Sequence, residues 1–234
     1  EVYLEIELEE ISTTLAEVVV KPKINKDNSL NRMLLLGAQM FSVEEASRFA
    51  GGMDDPARLV SNYAGVTTSG TTNNGISVRG NAPSLLQWKL EDVEIPNPNH
   101  FADIDVLGGG FLSALSANVL GNSDFFIGAF PAGYHNAVSG VFDMRLRNGN
   151  NQKYQHAFQL GVLGIDFASE GPISRKNNAS YIINYRYSTT GLLEKLQRNK
   201  DMGGTLGYQD LNFKFNFPTQ KSGTFSLWGT GLID

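Results

Sequence analysis

The chain has no cysteine in its 234 residues, which excludes a disulfide scaffold and a thiolate metal site and leaves the redox compartment unread. Positive charge is also in deficit. Nineteen Lys and Arg stand against 24 Asp and Glu, a net charge of −5, whereas a protein that tracks nucleic-acid phosphates needs a basic stripe. No run of about 18 apolar residues occurs, so no transmembrane helix is encoded. The opening Glu1-Val2-Tyr3-Leu4 has no basic stretch of the kind that begins a signal peptide, and Glu1 therefore reads as a cut inside a longer protein.

Catalytic signatures are scarce as well. No G-x-S-x-G elbow and no G-x-G-x-x-G fingerprint is present, and no Lys-Ser/Thr follows Gly108-Gly109-Gly110, which reads as a loop rather than a phosphate cradle. His100, His135 and His156 lack the i, i+4 spacing of a helical metal pair and read as surface or loop positions. The acidic pairs Glu44-Glu45 and Asp54-Asp55 fall in first helical turns, where carboxylates complement the dipole. The expectation is a non-enzyme with no metal, no cofactor and no nucleic-acid partner.

What is present is enough for a core: 41% apolar residues, with 25 Gly and 8 Pro as punctuation. Residues 1–11 alternate apolar and acidic side chains and read as the terminal strand of a preceding β-sandwich domain. Residues 12–29, with Val18-Val19-Val20 before Lys21-Pro22-Lys23, read as an extended linker. Ser42-Val43-Glu44-Glu45 is a capping box with Gly51-Gly52 as its stop. Asp55-Pro56 starts a second helix that Gly65 ends. Strands are expected at Ile76–Gly80, Trp88–Ile95, Phe125–Ala129 and Gly140–Arg147. A helix is expected over Phe111–Leu120, where Phe111, Leu112, Leu115, Val119 and Leu120 share a face.

After Asn148–Asn151 the period changes to two. Tyr181, Ile183, Tyr185 and Tyr187 oppose Ile182, Asn184 and Arg186; Leu211, Phe213, Phe215 and Phe217 oppose Asn212, Lys214 and Asn216. Residues 154–167 and Thr224–Leu232 repeat the pattern more weakly, and Glu170-Gly171-Pro172 reads as a tight turn. Such aromatic faces suit either the core of a soluble sandwich or a barrel wall with lipid outside. Residues 151–234 have room for about four or five strands, whereas a small membrane barrel needs at least eight.

One constellation is more specific. Leu15–Val20 (L-A-E-V-V-V), Ala64–Val66, Ile76–Gly80 (I-S-V-R-G), Leu90–Ile95 (L-E-D-V-E-I), Asp124–Tyr134 (D-F-F-I-G-A-F-P-A-G-Y) and Ser139–Leu146 occur in this order. The set resembles the plug of TonB-dependent outer-membrane receptors, in the form common in Bacteroidetes, over about residues 15–150. The resemblance implies an α+β plug domain, 30–150, with a small mixed sheet and short helices. Antiparallel hairpins from the start of a transmembrane β-barrel, 151–234, would follow it.

By the same resemblance Glu17, Val18, Val19 and Val20 form the TonB box, and an unpaired β-prone segment is physically able to add a strand to a partner's sheet edge. Arg79 matches the arginine of the family's I-R-G motif, and Asp124 stands for the glutamate of its E-V-x-x-G motif; both are expected as plug-locking charges. Thr71, Asn73, Asn74, Asn97, Asn99 and His100 lie on candidate ligand-facing loops. The implied function is gated, energised nutrient uptake at the cell outer membrane of a Gram-negative bacterium, with the plug facing the periplasm. Implied partners are the TonB C-terminal domain, the chain's own barrel, membrane lipid and an extracellular nutrient.

Three departures from the pattern stand out: Glu91-Asp92 where the family has a D-G turn, His135 after the tyrosine of Y-G, and Ser139 where a glycine is usual. Non-glycines at left-handed positions cost about 1 kcal/mol or more, so altered local turns are expected. The rival reading is a soluble surface or periplasmic glycan-binding module whose tail is a β-sandwich with its aromatic faces buried together. The fragment reading expects those faces exposed, and residues 154–234 paired with each other or with a second copy through open strand edges.

Overall fold

The computed structural model describes residues 37–42, 48, 52, 55–70, 72–161, 164–189 and 207–234. The expected strand at 1–11, the linker with Glu17–Val20, the first helix after Ser42 and Thr71 lie outside the described residues.

Two five-stranded sheets dominate. The first is mixed, in the order β1-β8-β9-β4-β5, built from β1 (Ala38–Phe41), β4 (Leu86–Leu90), β5 (Val93–Ile95), β8 (Ser123–Phe126) and β9 (Gly140–Met144). Only the β4–β9 pairing is parallel. The second is an antiparallel meander in chain order: β10 (Gln155–Leu160), β11 (Gly164–Ser174), β12 (Ala179–Ser188), β13 (Gln209–Pro218) and β14 (Thr224–Ile233). Two small ribbons, β2–β3 (Val66–Thr68 with Ile76–Val78) and β6–β7 (Asn99–His100 with Leu112–Ser113), complete the described strands. Helix is nearly absent among the described residues, with α1 (Pro56–Val60) and one 3-10 turn at Pro83–Leu85.

The mixed sheet packs around aromatic side chains, of which Trp88, Phe125 and Phe142 fall on strands expected from the sequence and Phe41 does not. Phe142 stacks on Trp88 with centroids 4.4 Å apart, meets Phe125 at 4.6 Å and receives the edge of Phe41 at 5.9 Å. α1 begins as expected: Asp55 is extended, its Oδ1 accepts the Ala57 amide at 2.8 Å, and Pro56 fills the first turn.

The helix expected at 111–120 does not form. Ser113 Oγ accepts the Leu115 amide, Ser116 Oγ accepts the Asn118 amide, and the Ser113 amide itself goes to Asp55 Oδ2. Side-chain acceptors thus take amides that a helix would have used, which is how serine competes with helical bonding. Correct apolar spacing did not outweigh that.

Turns follow the local sequence more closely than expected. Glu91 and Asp92 both adopt positive φ, 50° and 68°, so the β4–β5 connection keeps a two-residue left-handed turn without glycine. The expectation of a different turn is corrected here. Strain is offset by the side chains, since Glu91 Oε1 accepts the Leu146 amide at 2.7 Å and Asp92 takes both Arg145 guanidinium nitrogens. Asn136, φ 68°, takes the left-handed position after exposed His135. Glu170-Gly171-Pro172 is not a turn. It lies inside β11, where a register shift between Pro172 and Ser174 admits the proline, and the chain reverses instead at 175–178.

In the meander, the aromatic faces are outside. Tyr185, Tyr187, Leu211 and Phe217 are 40–48% exposed, whereas Asn184 and Asn212 are fully buried against the mixed-sheet unit. Among the described residues, aromatic faces buried together, required by the soluble-sandwich reading, are not observed. Residues 155–160, 164–188 and 209–233 pair with each other, and among the described residues the outer edges of β10 and β14 have no partner strand.

The Arg145 guanidinium holds the Asp92 carboxyl below the usual carboxylate range. Its contribution is therefore complete above the unfolded value of about 3.9 and fades as pH falls through the lower folded value. Because Asp92 is largely exposed, Arg145→Ala is expected to cost no more than about 1 kcal/mol at pH 7. Denaturant unfolding should show that deficit at pH 7 and its shrinkage in acid; a deficit constant with pH would contradict it.

Candidate functional site: a polar junction between two sheets

Alternation along β12 and β13 aims every second side chain at the mixed-sheet unit, and those side chains are mostly charged or amide-bearing. The loop from Ser113 to Asn118 and the end of β9 offer them backbone carbonyls. Arg186 Nη2 donates to Ser113 O at 2.5 Å while its Nε lies 3.0 Å from both Asp210 oxygens. Asn212 Nδ2 donates to Ala114 O at 2.8 Å. Asp166 Oδ2 accepts from Ser116 Oγ at 3.2 Å and Asn118 Nδ2 at 3.1 Å. Unhelical backbone at 113–118 therefore serves the junction, which is why the carbonyls stay free.

Two ion pairs cross lower down. Lys214 Nζ donates to Glu91 Oε1 and Oε2 at 3.0 Å and to Leu146 O at 2.9 Å, satisfying all three ammonium hydrogens. Arg147 Nη1 meets Glu170 Oε2 at 2.7 Å, and the same oxygen accepts the Asn150 amide at 2.8 Å. At the other end His100, fully buried, sits 2.9 Å from Asp210 through Nε2 and contacts Asp234 through Nδ1. Apolar contact is slight by comparison, carried among the described residues by Ile182, by half-buried Trp228 and by Tyr208 against the His100 ring.

The residues expected to act are distributed differently. Asn73 and Asn74 are buried. Asn73 Oδ1 accepts the Gly75 amide, and Asn74 Nδ2 bridges Asp55 Oδ2 at 2.7 Å and Asn99 Oδ1 at 2.8 Å. Burial pushes the Asp55 carboxyl above its ordinary range, against the N–H donors from Asn74, Ala57 and Ser113 that favour its charged form. Asn99 and His100 are likewise buried, so the surface or loop placement of His100 is corrected: a carboxylate at each ring nitrogen meets its desolvation cost. Asn97 is half-buried and lines two grooves, one of about 390 Å3 beside Trp228–Leu232 and one of about 270 Å3 beside Leu107 and Gly108.

Gly108–Gly110 pack this region closely. An added Cβ would lie 2.2 Å from the Ser84 amide at Gly108, 2.2 Å from Asn73 Oδ1 at Gly109 and 2.5 Å from Asn99 Cβ at Gly110. The exposed apex is instead the stretch Asp103–Leu107, with Ile104 and Leu107 well exposed.

Arg79 is exposed in the turn after β3, φ 52°, with its guanidinium over Gly128. Asp124 is buried in β8 opposite Met40 and Asp143. Among the described residues, the charges that join the two units are Glu91, Arg147, Asp166, Glu170, Arg186, Asp210, Lys214 and Asp234. Their signal was the polar face of the tail, which named Arg186 and Lys214 but not their partners. His135 is exposed, 3.9 Å from Glu94 and away from His100. No cluster able to hold a metal occurs among the described residues. No described helix is long and apolar enough to cross a membrane, which says nothing of strands.

In fold the chain is similar to solved TonB-dependent outer-membrane receptors. A ferric enterobactin receptor mutant from Pseudomonas aeruginosa in complex with enterobactin matches with a TM-score of 0.55 at 15% identity, over 84% of this chain and 33% of that one. The outer membrane transporter YddB from Escherichia coli matches at 0.51 and 14%, over 82% and 32%. The chain thus spans about a third of the length of these structures, and such identities speak for fold. No family model and no curated protein matches.

Lys214→Ala should strand Glu91, still bonded to the Leu146 amide, without its cation. A loss of about 3 kcal/mol or more is expected. Pairing it with Glu91→Gln in a double-mutant cycle should return a coupling of about 1–3 kcal/mol. Additive effects in denaturant unfolding would remove this pair from the junction.

Proposed function

We propose that the chain is a piece of a TonB-dependent receptor for energised nutrient uptake across the outer membrane. Residues 30–150 act as the plug and 151–234 as the first strands of the barrel wall around it. Residues 12–29 carry the segment pulled from the periplasm, and 1–11 close a preceding small domain. The observation that carries the reading is the inverted meander: polar side chains face the mixed-sheet unit, and Tyr185, Phe217, Phe225 and Leu227 face out. A wall between water and lipid needs that polarity, and a soluble sandwich needs the reverse. The similarity in fold supports the same reading.

In this account Glu91–Lys214 and Arg147–Glu170 seat the plug, together with Arg186 on Ser113 O and Asp210 on His100, and Arg79 and Asp124 act within it. Extracellular nutrient approaches the Asp103–Leu107 apex and the grooves at Asn97. Force arrives through Glu17–Val20, paired as an added strand on the TonB C-terminal domain. Main-chain hydrogen bonds supply affinity in such pairing, so sequence at alternate positions matters less than an intact backbone N–H.

A peptide spanning Ala16–Lys23 is expected to bind a TonB C-terminal domain. Val19→Pro, which removes an amide and blocks the extended ladder, should weaken binding at least tenfold, and Val19→Thr should change it by less than about threefold. Calorimetry reads both. Absence of binding by the parent peptide, or equal loss with both variants, would overturn the assignment of Glu17–Val20.

A further inference from the structure

His100 lies in a two-residue strand, yet both of its ring nitrogens leave the mixed-sheet unit to meet carboxylates of the meander. Nε2 is 2.9 Å from Asp210 Oδ2 on β13, and Nδ1 contacts Asp234 Oδ1 just past β14. A neutral imidazole has one donor and one acceptor nitrogen. Both contacts are hydrogen bonds to carboxylates only when both nitrogens carry hydrogen. In that form two cations, His100 and Arg186, balance two anions, Asp210 and Asp234, and no net charge is buried.

The same carboxylate holds the next residue. Asp234 Oδ2 accepts the Phe101 amide at 2.7 Å, and Phe101 has the left-handed φ of 54° that turns the chain into the Phe101–Gly110 loop. Asp103, φ 63°, follows within that loop, whose tip exposes Ile104 at 72% and Leu107 at 65%. A non-glycine at positive φ persists only where surrounding contacts over-determine it. At Phe101 the backbone hydrogen bond comes from the meander, beside an edge contact of its ring with Phe111 at 6.5 Å. Tyr208 covers the imidazole with centroids 4.6 Å apart. On the mixed-sheet side, Asp103 is bonded to the Gly108 amide, and Asp55 is linked through Asn74 to Asn99 beside His100.

We propose that His100, held between Asp210 and Asp234, is a proton-operated clasp that couples the Phe101–Gly110 loop to the outer edge of the meander. The clasp is closed when the ring carries both hydrogens and both carboxylates are ionised. Acid opens it by neutralising the carboxylates, and alkali opens it by taking the second ring hydrogen. His100 is thus a positioning residue for the exposed tip. The proposal goes beyond the uptake reading and needs only the observed fold.

The test is amide hydrogen exchange of residues 101–110 in the folded full chain across pH, expressed as protection factors, with the His100 ring nitrogens followed by NMR. Exposed His135 and His156 serve as internal references. The wild type should give a bell-shaped profile, with both ring nitrogens protonated at its maximum. His100→Gln should lower maximal protection at least fivefold and abolish the alkaline limb.

Asp234→Asn, at a partly exposed position and still able to accept from the Phe101 amide, guards against a His100 variant that does not fold. Removing that charge weakens the ring's hold on its proton, so the alkaline limb should move to lower pH. A flat wild-type profile, a ring with one bare nitrogen where protection is highest, or an unmoved limb in Asp234→Asn would overturn the clasp. None of these readings depends on peptide binding at Glu17–Val20, so the two proposals fail separately.

Discussion

A pleated strand has two faces, and in this meander the polar one meets the rest of the protein. Everything at the junction depends on that choice of face. Arg186, Asp210, Asn212 and Lys214 reach the mixed-sheet unit because β12 and β13 pair in one unbroken register, Ser180 against Asn216 through Tyr187 against Gln209. A slip of one residue would send all of them outward and bring Tyr185 and Phe213 in. Register is thus the constraint, and the reversals at 175–178 and 219–223 fix the neighbouring strands β11 and β14 beside this pair.

A junction of this composition is specific rather than adhesive. Bringing charges out of water costs much of what their pairing returns, so buried ion pairs add little net attraction while penalising any misplaced arrangement heavily. Apolar contact, the usual source of cohesion, is carried among the described residues mainly by Ile182, Trp228 and Tyr208. Groups such as Ser113 O, Ala114 O and Leu146 O can also be re-bonded by water once parted, which keeps separation affordable. A part that must sit in one position and still come free is well served by such a surface. That agrees with the proposed role of a plug released by force.

Legibility in the sequence followed the physics of each element. The strands of the tail were readable because period two is local, and Asp55-Pro56 announced α1 for the same reason. Phe111–Leu120 misled because its apolar spacing suits a helix, while the demands on its amides and carbonyls come from Asp55, Ser113 and Ser116 nearby and from Arg186 and Asn212 far along the chain. Glu170-Gly171-Pro172 misled because proline punctuates turns and bulges alike. Glu91-Asp92 is legible as a departure, but its purpose is not, since Lys214 lies 123 residues away. His100 could not be assigned from the sequence either, because both of its carboxylates come from the other sheet.

The central claim is that the aromatic face of the meander meets lipid and the polar face meets protein. A chain without cysteine allows a direct measurement: single cysteines at 185 and 217, and at 180 and 216, each labelled with a fluorophore in micelles containing a lipid-borne quencher. The account predicts strong quenching at 185 and 217 and little at 180 and 216. Equal quenching on both faces, or shielding of 185 and 217, would contradict it.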